Sequence, residues 1–407
     1  MKRRVKGVIL FISLLMLVAL ISGIAIAANE EPIVIGSIWS LVGAAAPLGQ
    51  AHLRGSNLAV KLVNEAGGIF GHPIEYHNID GQTDLTAISN ATKRLIEELK
   101  VVAGLGSEDD SLTSAMGPIF QSNKTPLVIG SATTPTQTRI GDYIFMSAYG
   151  DNEQGRAAAK YCVEKLGWKK VAIMWDNASA YSTLLSKVFM ESFQEFTGDP
   201  DAVVIQEIYQ TGDVNYSAQL TRLKLANKPI DGLVVTPPFP QDGPIIAKQA
   251  RALGIVLPSL FTDGADDVSI IEVGGEAVEG AIVSTQFAGD HPLTENAGKF
   301  IEAYIKEYGA EPGCFEDLGF DAMRLVIESI ETIGKEKWES MKLDEQRTAI
   351  RDTLQAHTFT TTTAPISYPD PKTAEYPRVP LKAVVFKVVR NGKLIFLDLL
   401  TPEEIFK

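Results

Sequence analysis

The stretch VVAGLGSEDDSLTSAMGPIFQSNKTPLVIGSATTPTQT, residues 101–138, decides the fold prediction for this chain. Its two apolar runs, 101–105 and 126–129, are long enough for buried strands. Between them, apolar residues recur at the spacing of one helical face: Leu112, Ala115, Met116, Ile119 and Phe120. A βαβ unit brings the polar loops 106–111 and 130–135 to the same carboxyl edge of a parallel sheet. Open α/β sheets bind their ligands at that edge.

The same alternation of strand and helix patterns extends outward in both directions. It begins with the apolar run 33–39, pauses near residues 143–147, and starts again before the run 171–175. This regularity predicts an α/β fold with parallel sheets flanked by helices on both faces. The pause near residues 143–147 is expected to divide the chain into two lobes. Two helical patterns follow later without an intervening strand, at residues 295–308 and 315–333, and they are expected to close the first lobe.

The C-terminal part of the chain has a different pattern. Residues 358–379, with a Thr run and several prolines, are predicted to be loop-like. Residues 381–389 and 393–400 are predicted to be strands joined by the hairpin turn Asn391-Gly392.

The first 27 residues have the pattern of a secretory signal peptide. A basic start is followed by an apolar segment at 8–24 and by the small-residue cleavage pattern Ala25-Ile26-Ala27. An exported, periplasmic or cell-surface protein is therefore predicted, with an uncleaved membrane anchor as the alternative. Without the four basic residues of this segment the net charge changes from −13 to −17, which disfavours nucleic acid and anionic membranes as partners.

No catalytic or metal-binding motif is present in the sequence. The glycines of Gly104-Leu105-Gly106 begin like a dinucleotide fingerprint, but Asp109 stands at the third glycine position. The five histidines are scattered, so neither a metal site nor a cofactor is expected, and the protein is predicted not to be an enzyme. The only two cysteines, Cys162 and Cys314, could form a disulfide, or Cys162 could be a buried free thiol.

Several segments resemble a known family when they are taken in order. They are residues 35–49, 55–60 (GSNLAV), 64–69 (NEAGGI), 126–138 with its Ser-Ala-Thr-x-Pro core, 151–155, 249–254 (QARALG) and 275–280. In this order they resemble the type I periplasmic solute-binding proteins of ABC importers, in the branched-chain amino acid (Leu/Ile/Val) group. The resemblance implies a monomeric protein without a cofactor that binds a small amino acid and delivers it to a membrane permease.

The resemblance also implies two Rossmann-like lobes joined by three crossings. The crossings are expected near residues 147–151, 285–288 and 386–390. The predicted N-terminal lobe comprises residues 28–148 plus 286–385, and the predicted C-terminal lobe comprises residues 149–285 plus 386–407. A ligand would be enclosed between the two lobes.

A set of ligand-binding residues follows from the resemblance, position by position. Asp110 and Ser111 correspond to the carboxylate-binding loop, and Ser131, Ala132 and Thr133 correspond to a loop that supplies a carbonyl and a hydroxyl. Tyr181 corresponds to a ligand-contacting tyrosine, and Asp263 corresponds to the acid that pairs with the ligand ammonium. The residues that correspond to the pocket walls are Leu48, Phe239 and Phe320. From the residues alone, Asp110 could equally be a helix N-cap, and Ser131, Thr133 and Asp263 could be turn residues.

Asp110 departs from the family pattern, because it stands where the family usually has Ser. A carboxylate there would repel a ligand carboxylate or would have to take up a proton. Either Asp110 points away while Ser111 and the helix N-terminal N–H groups bind the ligand, or the ligand lacks a free carboxylate or carries extra positive charge. An amide, urea, polyamine or aromatic acid ligand is therefore the alternative, as is a sensor role for the same fold.

Overall fold

The computed structural model describes residues 31–407, so the predicted signal segment lies outside the described residues. The first lobe contains a parallel sheet with the strand order β2-β1-β3-β4-β5. Its strands are β1 (Ile33–Ser37), β2 (Ile74–Asn78), β3 (Ala103–Leu105), β4 (Leu127–Ile129) and β5 (Ile144–Met146). The predicted pause near 143–147 is thus an edge strand, too short for its period to be recognised in the sequence.

Helices flank this sheet, as the sequence predicts. They are α1 (Ala46–Glu65), α2 (Leu85–Lys93, continued by the π-helical turn Arg94–Glu98) and α3 (Asp110–Ser122). The βαβ unit β3-α3-β4 is therefore confirmed, and β3 pairs with β4 in parallel. The buried face of α3 contains Leu112, Met116 and Phe120.

The second lobe contains a seven-stranded sheet with the order β14-β13-β10-β9-β8-β6-β7. Its strands are β6 (Val171–Asp176), β7 (Val203–Tyr209), β8 (Gly232–Thr236), β9 (Ser259–Phe261), β10 (Ile282–Thr285), β13 (Val384–Arg390) and β14 (Lys393–Leu400). Strands β6 to β10 are parallel, and the hairpin β13-β14 adds two antiparallel strands. A separate pair, β11 (Phe359–Thr360) and β12 (Pro365–Ile366), lies in the segment predicted to be loop-like.

Ten further α-helices and three short 3-10 helices (Pro135–Ile140, Asp263–Ala265 and Gly275–Val278) are present in the described residues. The α-helices are α4 (Asp151–Glu164), α5 (Ala180–Thr197), α6 (Ser217–Leu225), α7 (Asp242–Ala252), α8 (Ser269–Gly274), α9 (Glu295–Tyr308), α10 (Cys314–Ile333), α11 (Lys335–Ser340), α12 (Leu343–Ala356) and α13 (Pro402–Ile405). Helix α10 returns to the first lobe and crosses α1 in close backbone contact. A Cβ at Gly55 would lie 1.9 Å from the Glu316 carbonyl oxygen, and one at Gly319 would lie 2.2 Å from that of His52. These glycines allow the contact.

Strand pairing shows where the chain passes between the sheets. The first passage is the segment between β5 and α4, and the second is the segment after β10. The Tyr149 amide in the first donates a hydrogen bond to Gln286 Oε1 in the second (3.2 Å). The third passage precedes β13, because Val384 and Val385 already pair with Leu400 and Thr285. The crossing predicted at 386–390 is therefore wrong, because these residues belong to β13 of the second sheet. The rest of the domain division stays a prediction.

Two further sequence questions are answered by the described residues. Cys162 and Cys314 are both buried and free, so they do not form a disulfide. No helix among residues 31–407 combines the length and hydrophobicity that a membrane span requires.

Candidate functional site

A narrow cavity lies where the carboxyl edges of the two sheets face each other. Its volume of about 20 Å³ is enough for about one water molecule. The lining residues are Leu48, Glu108, Asp109, Asp110, Ser131, Ala132 and Phe315 from the first lobe and Tyr181, Pro238, Asp263 and Gly264 from the second lobe. We call the residues from the first lobe the first wall and those from the second lobe the second wall.

Larger concavities exist elsewhere on the described surface. One of about 1060 Å³ is lined by residues of the α3 C-terminal end, α10, α11 and α12. All of these belong to the first lobe, so closure of the two lobes would not enclose a ligand there. The small cavity between the walls is therefore the candidate site.

Six of the sequence-predicted residues lie together in this cavity. They are Leu48, Asp110, Ser131, Ala132, Tyr181 and Asp263. Thr133 is buried beside them, with a hydroxyl that has no hydrogen-bond partner. The structure thus brings both loops of the βαβ unit to the second lobe, and ligand contact by these residues stays a prediction.

Three predicted residues lie outside the cavity. Ser111 is exposed on α3, and its hydroxyl donates to Asp109. Pro238 lines the second wall in place of its neighbour Phe239. Phe320 packs against Phe300, with ring centroids 4.7 Å apart, while Phe315, more than one helical turn earlier on α10, lines the cavity. Here sequence position alone did not fix which aromatic ring faces the site.

The N-terminus of α3 is capped by Asp109 rather than by Asp110. The Asp109 carboxylate accepts the backbone amides of Ser111 (2.9 Å) and Leu112 (3.3 Å). Two of the helix N–H groups that would otherwise attract an anion are therefore already bonded. The prediction that Asp110 is the N-cap is wrong, since Asp110 is the first residue of the helix.

Asp110 is buried and bonds to the following loop. It accepts hydrogen bonds from the Thr134 amide (3.2 Å), the Thr134 hydroxyl (2.7 Å) and Gln137 Nε2 (3.3 Å). Burial raises the pKa of Asp110 to about 7, and the hydrogen bonds from Thr134 oppose this shift.

Thr134 links Asp110 to a second carboxyl group across the hinge. Its Oγ1 also lies 3.0 Å from Asp151 Oδ2, at the start of α4. One hydroxyl hydrogen serves only one acceptor, so one of the two carboxyl groups must carry a proton in this arrangement. Burial, together with the nearby Asp110, raises the pKa of Asp151 well above its usual value. Asp110 also accepts the Thr134 amide and Gln137 Nε2, whereas Asp151 Oδ1 has no hydrogen-bond partner, so the proton belongs on Asp151.

Glu108 was not among the predicted site residues. Its Oε1 accepts the Ser40 amide (3.0 Å), while its Oε2 is buried without a partner. Burial raises the pKa of Glu108 to about 7. The only signal in the sequence was the run Glu108-Asp109-Asp110, which does not show which of the three acids keeps an unpartnered oxygen at the cavity.

The second wall is built on a chain of hydrogen bonds. The Tyr181 hydroxyl lies 2.6 Å from Asp263 Oδ1 and 2.7 Å from Thr262 Oγ1. Burial raises the pKa of Asp263 to about 6, and the hydrogen bond from Tyr181 lowers it. Tyr149, whose buried hydroxyl has no partner, lies close enough for Asp263 to raise its pKa further. This wall therefore presents a hydrogen-bond acceptor at a fixed position in the cavity.

A neighbouring carboxylate differs because it has a cation. Asp266 lies 2.6 Å from Lys387 Nζ, and both side chains are buried. Thr285 Oγ1 donates to the other Asp266 oxygen at 2.6 Å. No group of three or more His, Cys, Asp or Glu side chains among residues 31–407 is arranged to hold a metal ion.

Comparison with known proteins agrees with this geometry. The family model described as periplasmic binding protein matches residues 32–374. The chain belongs to the periplasmic binding protein family. This family is a class of solute-binding proteins of transporters and not a class of enzymes.

Individual members of this family are similar to the chain in sequence and in structure. The Leu/Ile/Val-binding protein of Escherichia coli is 28% identical over 259 residues, which are 63% of this chain and 68% of that protein. Among solved structures, a leucine-binding protein from Thermotoga maritima has a TM-score of 0.80 at 28% identity, covering 91% of this chain and 99% of the other. A branched-chain amino acid transporter substrate-binding protein from Streptococcus pneumoniae, in complex with isoleucine, has a TM-score of 0.81 at 28% identity, covering 91% and 100%.

Proposed function

We propose that this protein is the extracytoplasmic substrate-binding component of an ABC importer. It binds a small amino-acid-like solute with an ammonium group between its two lobes and delivers it to a membrane permease. Branched-chain amino acids are the first candidates, because the E. coli relative is named for leucine, isoleucine and valine. The signal segment predicted at residues 1–27 supports an extracytoplasmic location.

The observation that carries this proposal is the pairing of two unlike walls across one cavity. The second wall holds the Asp263 carboxylate in place through Tyr181. The first wall brings the Ser131 hydroxyl, and Thr133 lies close to it in the chain; both hydroxyls are buried without hydrogen-bond partners. Buried polar groups are normally bonded, so these atoms are suited to a polar ligand.

The size of the cavity supports a mechanism of opening and closing. A space of about 20 Å³ is far below the roughly 300 Å³ or more of typical ligand pockets. An amino acid therefore enters only after the walls separate. Because the two lobes are joined by three short passages, a hinge motion separates the walls without unfolding either sheet.

A thermal-shift screen tests this function. Leucine, isoleucine, valine and their amides, together with diamines and aromatic acids, are added to the purified protein, and a ligand of the folded form raises the melting temperature. Asp263→Asn should abolish the shift, because it removes the carboxylate that pairs with the ammonium group.

Asp201→Asn provides the matched control for that variant. Asp201 is exposed in the second lobe, and no side-chain hydrogen bond or salt bridge is formed by it among the described contacts. The shift should survive this substitution. A screen in which no small solute raises the melting temperature would contradict the proposed function. The state of the free protein, proposed to be a monomer, is measured by light scattering.

A further inference from the structure

We infer that the solute bound in this cleft is an amine cation that presents no carboxylate to α3, and that Glu108 and Asp110 select it. A short diamine fits this description best. The inference rests on the proposed function, since it names the class of solute that the same cleft binds. It decides between the two explanations that the sequence left open for Asp110.

The first step concerns the place where an anion would bind. The N-terminus of a helix attracts a carboxylate through its free N–H groups. In α3 the amides of Ser111 and Leu112 are already bonded to the Asp109 side chain. Ser111, the hydroxyl that could have assisted, is exposed outside the cavity. A ligand carboxylate would have to displace a capping group that belongs to the chain.

The second step concerns the charge of Asp110. The Thr134 amide and Gln137 Nε2 donate to Asp110 and stabilise its ionised form, while the neighbouring Asp151 shares only the Thr134 hydroxyl with it and has one unpartnered oxygen. When the pair holds a single proton, that proton therefore lies on Asp151 and the negative charge lies on Asp110. A ligand carboxylate placed against Asp110 would meet a like charge in a buried site, where repulsion is least screened.

The third step is the unpartnered oxygen of Glu108. This side chain is only 4% exposed, lines the cavity, and has no donor for Oε2. A buried carboxylate oxygen without a donor is costly, and an N–H group of a ligand would satisfy it. This atom is independent of the Asp110 arrangement and indicates a donor as the missing partner.

The fourth step is the absence of a cation on the walls. None of the described residues that line the cavity is Lys or Arg. The two buried lysines nearby are already used: Lys387 pairs with Asp266, and Lys382 Nζ donates to the Ser147 carbonyl oxygen at 3.3 Å. The walls therefore leave the positive charge to be supplied by the ligand.

Of the three carboxyl groups on the first wall, Asp109 caps α3, which leaves Glu108 and Asp110 on the same cavity as Asp263 of the second wall. A ligand with one basic nitrogen would satisfy one wall only. A diamine places one cation at Asp263 and Tyr181 and the other at Glu108 and Asp110. The charge-assisted hydrogen bonds on both sides would then hold the lobes closed.

Calorimetric titration of the purified protein with three probes tests this inference. The probes are 1,4-diaminobutane, with two cations; L-leucinamide, with one cation and no carboxylate; and L-leucine, with one cation and a carboxylate. We expect 1,4-diaminobutane to bind most tightly, and L-leucinamide to bind at least about tenfold more tightly than L-leucine.

Two near-isosteric variants assign the effect to residues. Glu108→Gln and Asp110→Asn should each weaken 1,4-diaminobutane binding by about 10- to 100-fold, the range for a charge-assisted hydrogen bond. Neither should weaken L-leucine binding, since each removes a repelling charge. The control is Asp84→Asn, which changes the N-cap of α2 in the same lobe, outside the cavity, and should leave all three affinities unchanged.

The outcomes separate this inference from the proposed function. If L-leucine binds as tightly as the other two probes, the inference is overturned while the transport function stands. If 1,4-diaminobutane binds but both variants leave its affinity unchanged, the selecting role of Glu108 and Asp110 is overturned. If no probe binds, the inference fails, and the wider solute screen decides whether the proposed function fails with it. Should a variant unfold, the order of the three affinities in the unaltered protein decides alone.

Discussion

The two walls of the cleft both contain buried carboxyl groups, but they differ in how many of their buried polar atoms have hydrogen-bond partners. On the second wall, Tyr181, Thr262 and Asp263 satisfy one another, so this wall is arranged before a ligand arrives. On the first wall, Glu108 Oε2 and Ser131 Oγ are buried without partners, as is Thr133 Oγ1 beside it. The difference teaches that the second wall fixes a carboxyl group within the protein, whereas the first wall keeps buried polar atoms for the proposed ligand to bond.

A similar contrast separates two buried carboxylates close to the hinge. Asp266 is neutralised by Lys387, whereas Asp110 has only neutral donors and a proton-bearing neighbour. A carboxylate that already has a cation contributes to the stability of the lobe. A carboxylate that lacks one is available to a cationic ligand.

Breaking the Asp266 pair should have the largest effect. Lys387→Met leaves Asp266 buried without its cation, so we expect the free energy of unfolding to fall by about 3–5 kcal/mol, as measured by urea denaturation. Lys187→Met is the control, because its pair with Glu191 is exposed on α5 and is worth less than about 0.5 kcal/mol. Equal losses in the two variants would show that the buried pair has no special role.

Removing the hydroxyl of the second wall should have the next largest effect. Tyr181→Phe deprives the buried Asp263 of its donor, so the free energy of unfolding should fall by about 1.5–3 kcal/mol. Ligand affinity should fall with it, because Asp263 is no longer held in place. Tyr308→Phe, which removes the hydroxyl of an exposed residue bonded to the Arg54 carbonyl oxygen, should cost less. If Tyr308→Phe cost as much as Tyr181→Phe, the preorganised second wall would be refuted.

The pH dependence of the free protein sharpens the contrast further. The pKa values of Glu108 and Asp110 are about 7 in the folded state, above their ordinary values, so the folded state binds more protons. The contribution of these two groups to the free energy of unfolding is fully present below about pH 4. It is lost as the pH rises through 7, at up to about 1.4 kcal/mol per pH unit for each proton. Melting temperatures from pH 5 to 8 should therefore decrease.

Glu108→Gln removes one of these groups, so its melting temperature should depend less steeply on pH. Asp242 and Glu153, whose pKa values burial raises to about 7 and about 8, keep part of the slope in the variant. An unchanged slope in Glu108→Gln would mean that the carboxyl group of Glu108 titrates in the same way in the folded and unfolded states.

The smallest effect is expected at Ser111. This residue is exposed and bonds only within the cap of α3, so Ser111→Ala should change ligand affinity by less than about twofold in a calorimetric titration. Thr133→Ala is the comparison, because it removes a buried unpartnered hydroxyl beside the cavity and should weaken binding more. A larger loss at Ser111 than at Thr133 would restore the helix N-terminus as the ligand-binding element.

The amino-acid sequence by itself determined the α/β architecture, the βαβ unit around α3, the hairpin at Asn391-Gly392 and the loops that line the cleft. The hydrophobic periods of about two residues in strands and about 3.6 residues in helices are local properties of the sequence. The loops at the carboxyl edge of a parallel sheet follow from the order of the strands and helices that these periods predict. The departure at Asp110 was also visible in the sequence alone. These features needed no knowledge of distant contacts.

Only the tertiary structure decided which side chains face the cavity. The acids of the run Glu108-Asp109-Asp110 all line the cavity, but they have different partners: Glu108 accepts the Ser40 amide, Asp109 caps α3 and Asp110 bonds Thr134. The sequence could not separate them, because adjacent residues at the start of a helix point in directions about 100° apart and the starting residue was uncertain by one or two positions. The choice of Phe315 over Phe320 likewise depended on how α10 crosses α1, a contact set by two distant glycines.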